Sequence, residues 1–548
     1  FNISVSKPGL GEISYLFTAF SRSNEFNARQ HVFRTDIAKK NLKLQFNSSL
    51  TGSNALTSDA QFYRHRSTVS YGIWKMELGY KDEFENNQLK TDTLQPGSYA
   101  FYDRQVFLQN RDTAKQKFNL FYRVRDDEAL SSNRLKRSTR AESYGLSTEL
   151  ANGEAVQLRT ITALRNLFIE DTLLSTLDPE RTLVNRVELS LRIWKGIVTA
   201  NSFYEAGSGL ETRKEFSYLE VQPGQGVYSW SDYNGNGIKE LNEFEIAAFP
   251  DQARYIRVFT PTTDFIRVYS NQFSQTVNVK APNSWTKEKG MRKFISRLST
   301  QSAWKTDGKT TTEDLARAYN PLRFGIDDTA LITFNRAVRN TVFFNRGAAK
   351  FGMELNWQSL SNKALLNNGI EARNNRFSNH RMRWNAGDIF TITTETRNGQ
   401  KRSEAAFFSN RNYRINYTEV SPTFSIQPNA AFRMNLNYKY SIKQNTADYG
   451  GERALSHTAG TELKYNVAEK GSFQGRFNFI LINFSGQQNT PVAFEMQEGL
   501  KSGNNFTWGI NYQRTLSNNM QLNINYDGRK SPDAKTVHVG GVQVRLFF

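Results

Sequence analysis

The chain has 548 residues, no Cys and a formal net charge of +19. Its mean hydropathy is −0.62, and no stretch nears the ~18 apolar residues of a membrane helix; the densest run is Phe479-Ile480-Leu481-Ile482. A helical membrane protein and a disulfide scaffold are therefore excluded, whereas a β-barrel passes the test, because alternate residues average its hydropathy out.

In chain order, residues 11–20, 41–50, 67–80 and 98–108 read as strands with loose alternation. Phe118, Leu120, Tyr122 and Val124 then alternate with Asn119, Phe121, Arg123 and Arg125. A period of two sends one set of side chains to each face of a strand. Tyr144, Leu146, Thr148 and Leu150 run into Asn152-Gly153, and Val156, Leu158 and Thr160 return, which predicts a two-residue hairpin turn. Val187, Leu189, Leu191 and Ile193 precede a turn at Lys195-Gly196. Ala206-Gly207-Ser208-Gly209 predicts another turn, leading into residues 213–221. The rhythm breaks over 222–263, resumes over 265–280 and again over 291–304.

From Leu331 the strands follow closely. Phe351, Met353, Leu355 and Trp357 oppose Lys350, Glu354, Asn356 and Gln358. Phe432, Met434, Leu436, Tyr438, Tyr440 and Ile442 oppose Arg433, Asn435, Asn437, Lys439, Ser441 and Lys443. The last strands carry Phe506, Trp508, Ile510 and Tyr512, then Met520, Leu522, Ile524 and Tyr526, then Val542, Val544, Leu546 and Phe548. One face is apolar and often aromatic; the other is Asn, Gln, Thr and Arg. The expected fold is all-β: a large closed antiparallel transmembrane β-barrel of about 24–28 strands with an inserted irregular loop region at 222–263. Lipid would meet the aromatic half, and closure would satisfy every backbone group. So wide a barrel needs filling by folded-in loops, an upstream domain or a partner. The chain begins at Phe1 without a signal peptide, which suggests the carboxyl-terminal part of a longer protein.

The 222–263 interruption contains the one segment with ligand chemistry. Counted against a calcium loop, Asp232 is at position 1, Asn234 at 3, Asn236 at 5, Gly237 at 6, Ile238 at 7 (through its carbonyl), Glu240 at 9 and Glu243 at 12. Calcium wants six to eight oxygens, and short side chains two apart on a tight loop can converge on one ion. The flanking helices of an EF-hand are absent, the apolar residue sits at 7 instead of 8, and two Asn-Gly turns with solvated acidic neighbours would read the same. A calcium ion here would staple the loop.

The run from Gly224 to Glu245, followed by Asp251-Gln252-Ala253-Arg254-Tyr255-Ile256-Arg257, resembles a segment of large outer-membrane proteins of Bacteroidota. That group includes the giant translocon barrels of type IX secretion. The terminal Phe548 also resembles the recognition signal of bacterial outer-membrane barrels. These resemblances imply a bacterial outer-membrane location, contact with outer-membrane lipids and lipopolysaccharide, and complexes with other outer-membrane proteins or lipoproteins.

The five His (His31, His65, His380, His457, His538) show no metal-ligand spacing, and no nucleophile or phosphate-loop motif occurs. Ser456-His457 is the nearest to a catalytic pair, but strand neighbours point to opposite faces, so no enzyme is expected. The basic clusters Arg134-Leu135-Lys136-Arg137 with Arg140, and Lys287-Glu288-Lys289 with Arg292-Lys293, read as loops or strand entrances. No clustered basic stripe points to nucleic acid. The leading expectation is a transport or translocation barrel with a plugged, wide lumen passing a macromolecule or an anionic solute. The alternative is a non-conducting scaffold that docks surface lipoproteins or another barrel.

Overall fold

One antiparallel sheet occupies most of the chain in the computed structural model, which describes residues 1–22, 25–55, 58–110, 116–175, 179–321, 330–366, 369–406, 408–467, 470–517 and 519–546. Among the described residues it has 27 strands; two of them, Tyr228–Trp230 and Phe244–Ile246, are three-residue strands of the inserted region. The other 25 fall within the range that alternation predicts. Among the described residues the longest helix, Pro491–Gln497, has seven residues, and no helix is long and apolar enough to cross a membrane.

The chain divides into two compact units. The first is residues 1–192, 201–210 and 267–272; the second is 193–200, 211–266 and 273–548. In the first, successive strands from Asn2–Lys7 to Glu180–Ile193 pair antiparallel, each with the next. In the second, the strands from Leu298–Thr310 to Val537–Leu546 do the same.

Local chemistry moves several boundaries from their predicted places. Residues 67–80 are not one strand: Trp74 takes φ 54° and turns Asp59–Ile73 into Met76–Lys90. The Asn152-Gly153 turn has three loop residues, because Asn152 pairs with Val156. That register sets Leu150 opposite Leu158 and Thr148 opposite Thr160, matching like with like on one face. Ala206-Gly207-Ser208-Gly209 does not turn; Val198–Glu220 runs straight through it. A Cβ on Gly207 would lie 3.1 Å from the Leu183 carbonyl, so the small residues serve close strand approach. Residues 291–304 split into a helix, Met291–Ile295, and the strand that starts at Leu298. The Arg134 cluster forms the entrance of the strand Arg134–Asn152, one of its two predicted placements; there Lys136 pairs with Asp171 (2.7 Å) and Arg137 with Asp126 (3.5 Å).

In the second unit burial is inverted relative to a water-soluble sheet. Along Phe351–Leu366, Met353, Leu355 and Trp357 are exposed while Asn356 between them is buried. Two cross-strand neighbours continue the exposed apolar face, Met382 opposite Met353 and Val342 opposite Leu355. Leu436, Tyr438, Phe477 and Ile510 repeat it on later strands. The buried hydrophobic core beneath is small: Ile415, Ala454, Val492 and Met496, flanked by Tyr413 and Phe484. Fully burying such side chains is worth about 1.5–3 kcal/mol each, and soluble monomers rarely expose contiguous apolar patches above a few hundred Å². Here the favourable burial is left unmade over strand after strand.

The first unit shows the same division. Leu78, Tyr80, Val106, Leu120, Tyr122, Tyr144 and Leu146 are exposed. The opposite face carries cross-strand ion pairs, including Arg66–Glu83 at 2.8 Å and Arg123 with Asp103. Gly79 and Gly145 on that face receive the rings of their direct partners Phe107 and Phe121.

Candidate functional site

The inserted region folds around an aromatic cluster in the second unit. Tyr228–Trp230 pairs with Phe244–Ile246, and Tyr228 also pairs with Tyr255. Tyr218 stacks on Phe244 with ring centroids 4.0 Å apart, and Phe244 meets Tyr255 edge-on at 5.0 Å. The Arg257 guanidinium lies over Phe216, Tyr218 and Tyr228, at 5.1, 5.7 and 5.1 Å. Aromatic residues supply much buried area for few ordered torsions, so a segment without long strands still holds a fixed shape.

Three arginines tie this insertion to the sheet. Arg411, 7% exposed, donates to the Phe244 carbonyl at 3.2 Å and to Glu245 Oε1 at 3.0 Å. Its other terminal nitrogen lies 3.5 Å from Glu371. Arg373 approaches Glu245 at 3.9 Å, and Arg529 pairs with Asp251, both largely withdrawn from solvent. Burial pushes the Glu245 carboxyl above its ordinary range, against the pull of Arg411 and Arg373. Burial likewise pushes the Tyr233 phenol up, with Glu245 adding to the effect. Removing one partner of a buried pair costs about 3–5 kcal/mol, because the other charge is left stranded.

A second element packs beside it. Thr490 caps the helix Pro491–Gln497 by accepting from Ala493 N at 3.1 Å, and Pro491 at its first turn suits a helix start. The helix sets Val492 and Met496 in the cluster with Ile415 and Ala454, and Glu495 reaches Lys401 at 2.5 Å. After the helix, Glu498 accepts from Lys443 at 2.7 Å and from Lys439 at 3.3 Å. Burial alone would raise the Glu498 carboxyl, but the two lysines outweigh it and hold it at about 2. Next to this helix is a cavity of about 580 Å³ lined by Lys305, Arg336, Arg373, Lys401 and Arg402, against Asp307 and Glu495.

The predicted calcium-loop residues lie on one tight loop, closed largely by its own hydrogen bonds. Asp232 Oδ1 accepts from Gly235 N (2.6 Å) and Oδ2 from Gly237 N (2.9 Å). Positive φ at Gly235 and Gly237, 75° and 72°, makes this wrap possible. Asn234 Oδ1 accepts from Asn236 N, and Asn236 Oδ1 from Ile238 N. Asn234 Nδ2 donates to Glu240 at 2.8 Å. Glu243 is fully buried; its oxygens accept from Trp230 Nε1 at 2.8 Å and Tyr233 N at 3.1 Å. Among the described residues no three His, Asp or Glu side chains converge as a metal-holding group. Asp232, Glu240 and Glu243 share the loop without meeting at one point.

His457 bonds through Nδ1 to Tyr438 OH at 2.8 Å. Tyr15–His31 at 2.7 Å and Tyr526–His538 at 2.8 Å repeat the pairing on other strands. Sequence reasoning missed Arg411, Arg373, Arg529 and the 491–499 segment. Their partners lie tens to hundreds of residues away, and in the sequence an anchoring arginine reads like any lumenal one.

No protein-family model and no curated sequence relative matches the chain. Among solved structures it is similar to a mutant ferric enterobactin receptor, PfeA, from Pseudomonas aeruginosa: 9% identity, 94% of this chain, 74% of that chain, TM-score 0.35. It is also similar to the ferric-catecholate import receptor Fiu from E. coli K12 in its closed form, with 8% identity, 95% and 77% covered, TM-score 0.31. The siderophore receptor PirA from Pseudomonas aeruginosa gives 10% identity, 96% and 87% covered, TM-score 0.31. At these identities and scores the likeness carries no argument about architecture or cargo.

Proposed function

We propose that this chain is a bacterial outer-membrane β-barrel that serves as a transport component. Its sheet closes in lipid, and its polar face forms a lumen filled at rest by the inserted region and the 491–499 segment. The single observation that carries this reading is the inverted burial: alternate apolar side chains exposed on strand after strand, with amides and ion pairs on the other face. The 580 Å³ cavity has five cations against two carboxylates, which favours an anionic solute. The likeness of 224–257 to large Bacteroidota barrels supports a place among that group. Planar-bilayer recording tests the reading: the intact chain gives low or flickering conductance, and deleting residues 222–254 opens a large steady pore. A chain that forms no pore in either form would overturn it.

The buried Arg411–Glu245 tie favours a second reading, a permanently occluded scaffold that docks surface lipoproteins or another barrel. Co-purification from mild detergent distinguishes the two readings, since a scaffold retains stoichiometric partners and conducts nothing.

For the loop we retain calcium as the proposed ligand, in a structural role. The donors are all oxygen, as calcium requires: Asp232, Asn234, Asn236, the Ile238 carbonyl, Glu240 and Glu243. On this reading Glu243 turns from Trp230 when the ion binds.

A further inference from the structure

In the second unit, successive strand connections alternate between the two ends of the sheet. At one end they are short: 345–350, 387–389, 427–431, 468–470 and 518–519. The opposite end carries the three longest, the inserted region, 311–330 and 486–502, together with short connections between Leu366 and Gly369, Ala405 and Tyr413, Asn445 and Arg453, and Lys530 and Val537. Outer-membrane barrels place short turns on the periplasmic side and long loops outside. The connection 281–297 breaks this pattern, being long at the short-turn end.

Its composition is that of a membrane-surface segment. Met291, Phe294 and Ile295 are exposed, and Phe294 meets Phe344 with ring centroids 5.8 Å apart. Phe344 pairs with Met353, so the contact falls on the exposed apolar face. Against this segment lies a cavity of about 670 Å³ whose lining includes Lys280, Lys293, Arg297 and Arg346, together with Thr199 and Asn278, and no Asp or Glu. Elsewhere in the chain ion pairs are frequent. Yet none of these four cations has a carboxylate partner among the described residues; Arg346 instead lies over the Phe343 ring at 4.2 Å, on the face opposite Phe344, so the cavity sits at the strand ends between the two faces. Four cations without a counter-charge beside exposed apolar side chains match a headgroup phosphate with its acyl chains alongside.

We propose that this cavity binds the phosphate of an anionic phospholipid in the leaflet at the short-turn end, with the 291–295 helix lying on the membrane surface. The proposal rests on the membrane reading above. A basic residue at an anionic surface contributes about 1 kcal/mol, or roughly fivefold in partition, so removing two charges should lower lipid retention by about 30-fold.

The test uses the folded chain in nanodiscs containing phosphatidylglycerol and phosphatidylcholine, with retained lipid counted by native mass spectrometry after detergent exchange. The expected result is retained phosphatidylglycerol, lost in Lys293→Ala/Arg346→Ala and resistant to millimolar inorganic phosphate. Heat-shifted gel migration confirms that the variant is folded, and Lys350→Ala, another cation near this end, should leave retention unchanged. Equal retention of the two lipids, or no loss in the double variant, overturns the lipid site while leaving the membrane reading intact. Displacement by inorganic phosphate assigns the cavity to free anion and overturns the lipid commitment. Failure to insert in any bilayer overturns the membrane reading itself.

Discussion

Arg411 Nη2 lies 3.0 Å from Glu245 Oε1, across 166 residues of chain, with the two side chains 7% and 14% exposed. This contact joins the inserted region to the sheet at a point where water cannot screen a lost charge. Arg411→Met should therefore loosen the insertion by about 3–5 kcal/mol, raising proteolytic cleavage within 222–254 at least a hundredfold. Pairing it with Glu245→Leu should restore part of the protection, since Glu245 is then no longer stranded while Glu371 and Arg373 keep their charges. Equal cleavage in Arg411→Met and the parent chain would show that the tie holds nothing.

The cross-strand glycine–aromatic pairs make a second prediction. A Cβ on Gly145 would lie 2.2 Å from the Phe121 ring, and one on Gly528 equally close to Trp508. Gly145→Val should overpack the site and cost about 1–3 kcal/mol, read as a lower urea midpoint for the folded, heat-shifted gel band. Gly52→Ala, where nothing lies within 4 Å, should leave that midpoint within error. A matching drop in both variants would remove the packing explanation.

Glu498 supplies a pH dependence. Its carboxyl is held at about 2, below the ordinary 4.5, through Lys443 and Lys439. A depressed carboxyl stabilises the fold fully above its unfolded value, and the contribution fades as protons bind. Protection of segment 486–502 should thus be constant above about pH 4.5 and fall between 4.5 and 2, by hydrogen exchange corrected for intrinsic rates. Glu498→Gln should flatten the curve, whereas an unchanged profile in that variant would assign the effect elsewhere.

For the loop, Trp230 stands two residues before Asp232, so a lanthanide bound in the calcium site would sit close to an indole. Terbium should give sensitised emission on excitation at the tryptophan band, competed by calcium and lost in Asp232→Ala/Asn234→Ala. Chelation should also increase cleavage within 222–254. Emission that persists in the double variant would count against these ligands.

The strands were legible because period two is local: Met353, Leu355 and Trp357 announce their face without reference to any neighbour. The hairpin at Trp74 was not, since a Trp at φ 54° carries none of the Gly or Asn signal that marks a turn. The glycines at 206–209 misled for the opposite reason. Gly207 serves interstrand approach, and sequence cannot tell that use from a bend. The loop at 232–243 was legible as a loop from its Asn-Gly pairs, but Glu243 turning to Trp230 depends on the Trp230–Phe244 pairing, which spacing does not encode. The arginine ties were illegible because each depends on register between distant strands.

The central claim is that apolar side chains face hydrocarbon while their immediate neighbours face water. The chain has no Cys, so a single nitroxide label at each of residues 353–358, through substitutions such as Leu355→Cys and Asn356→Cys, reports one side chain at a time. In liposomes, relaxation by oxygen should peak at 353, 355 and 357, and relaxation by a water-soluble nickel chelate at 354, 356 and 358. Uniform access to the nickel chelate, or oxygen peaks at the amide positions, would contradict it.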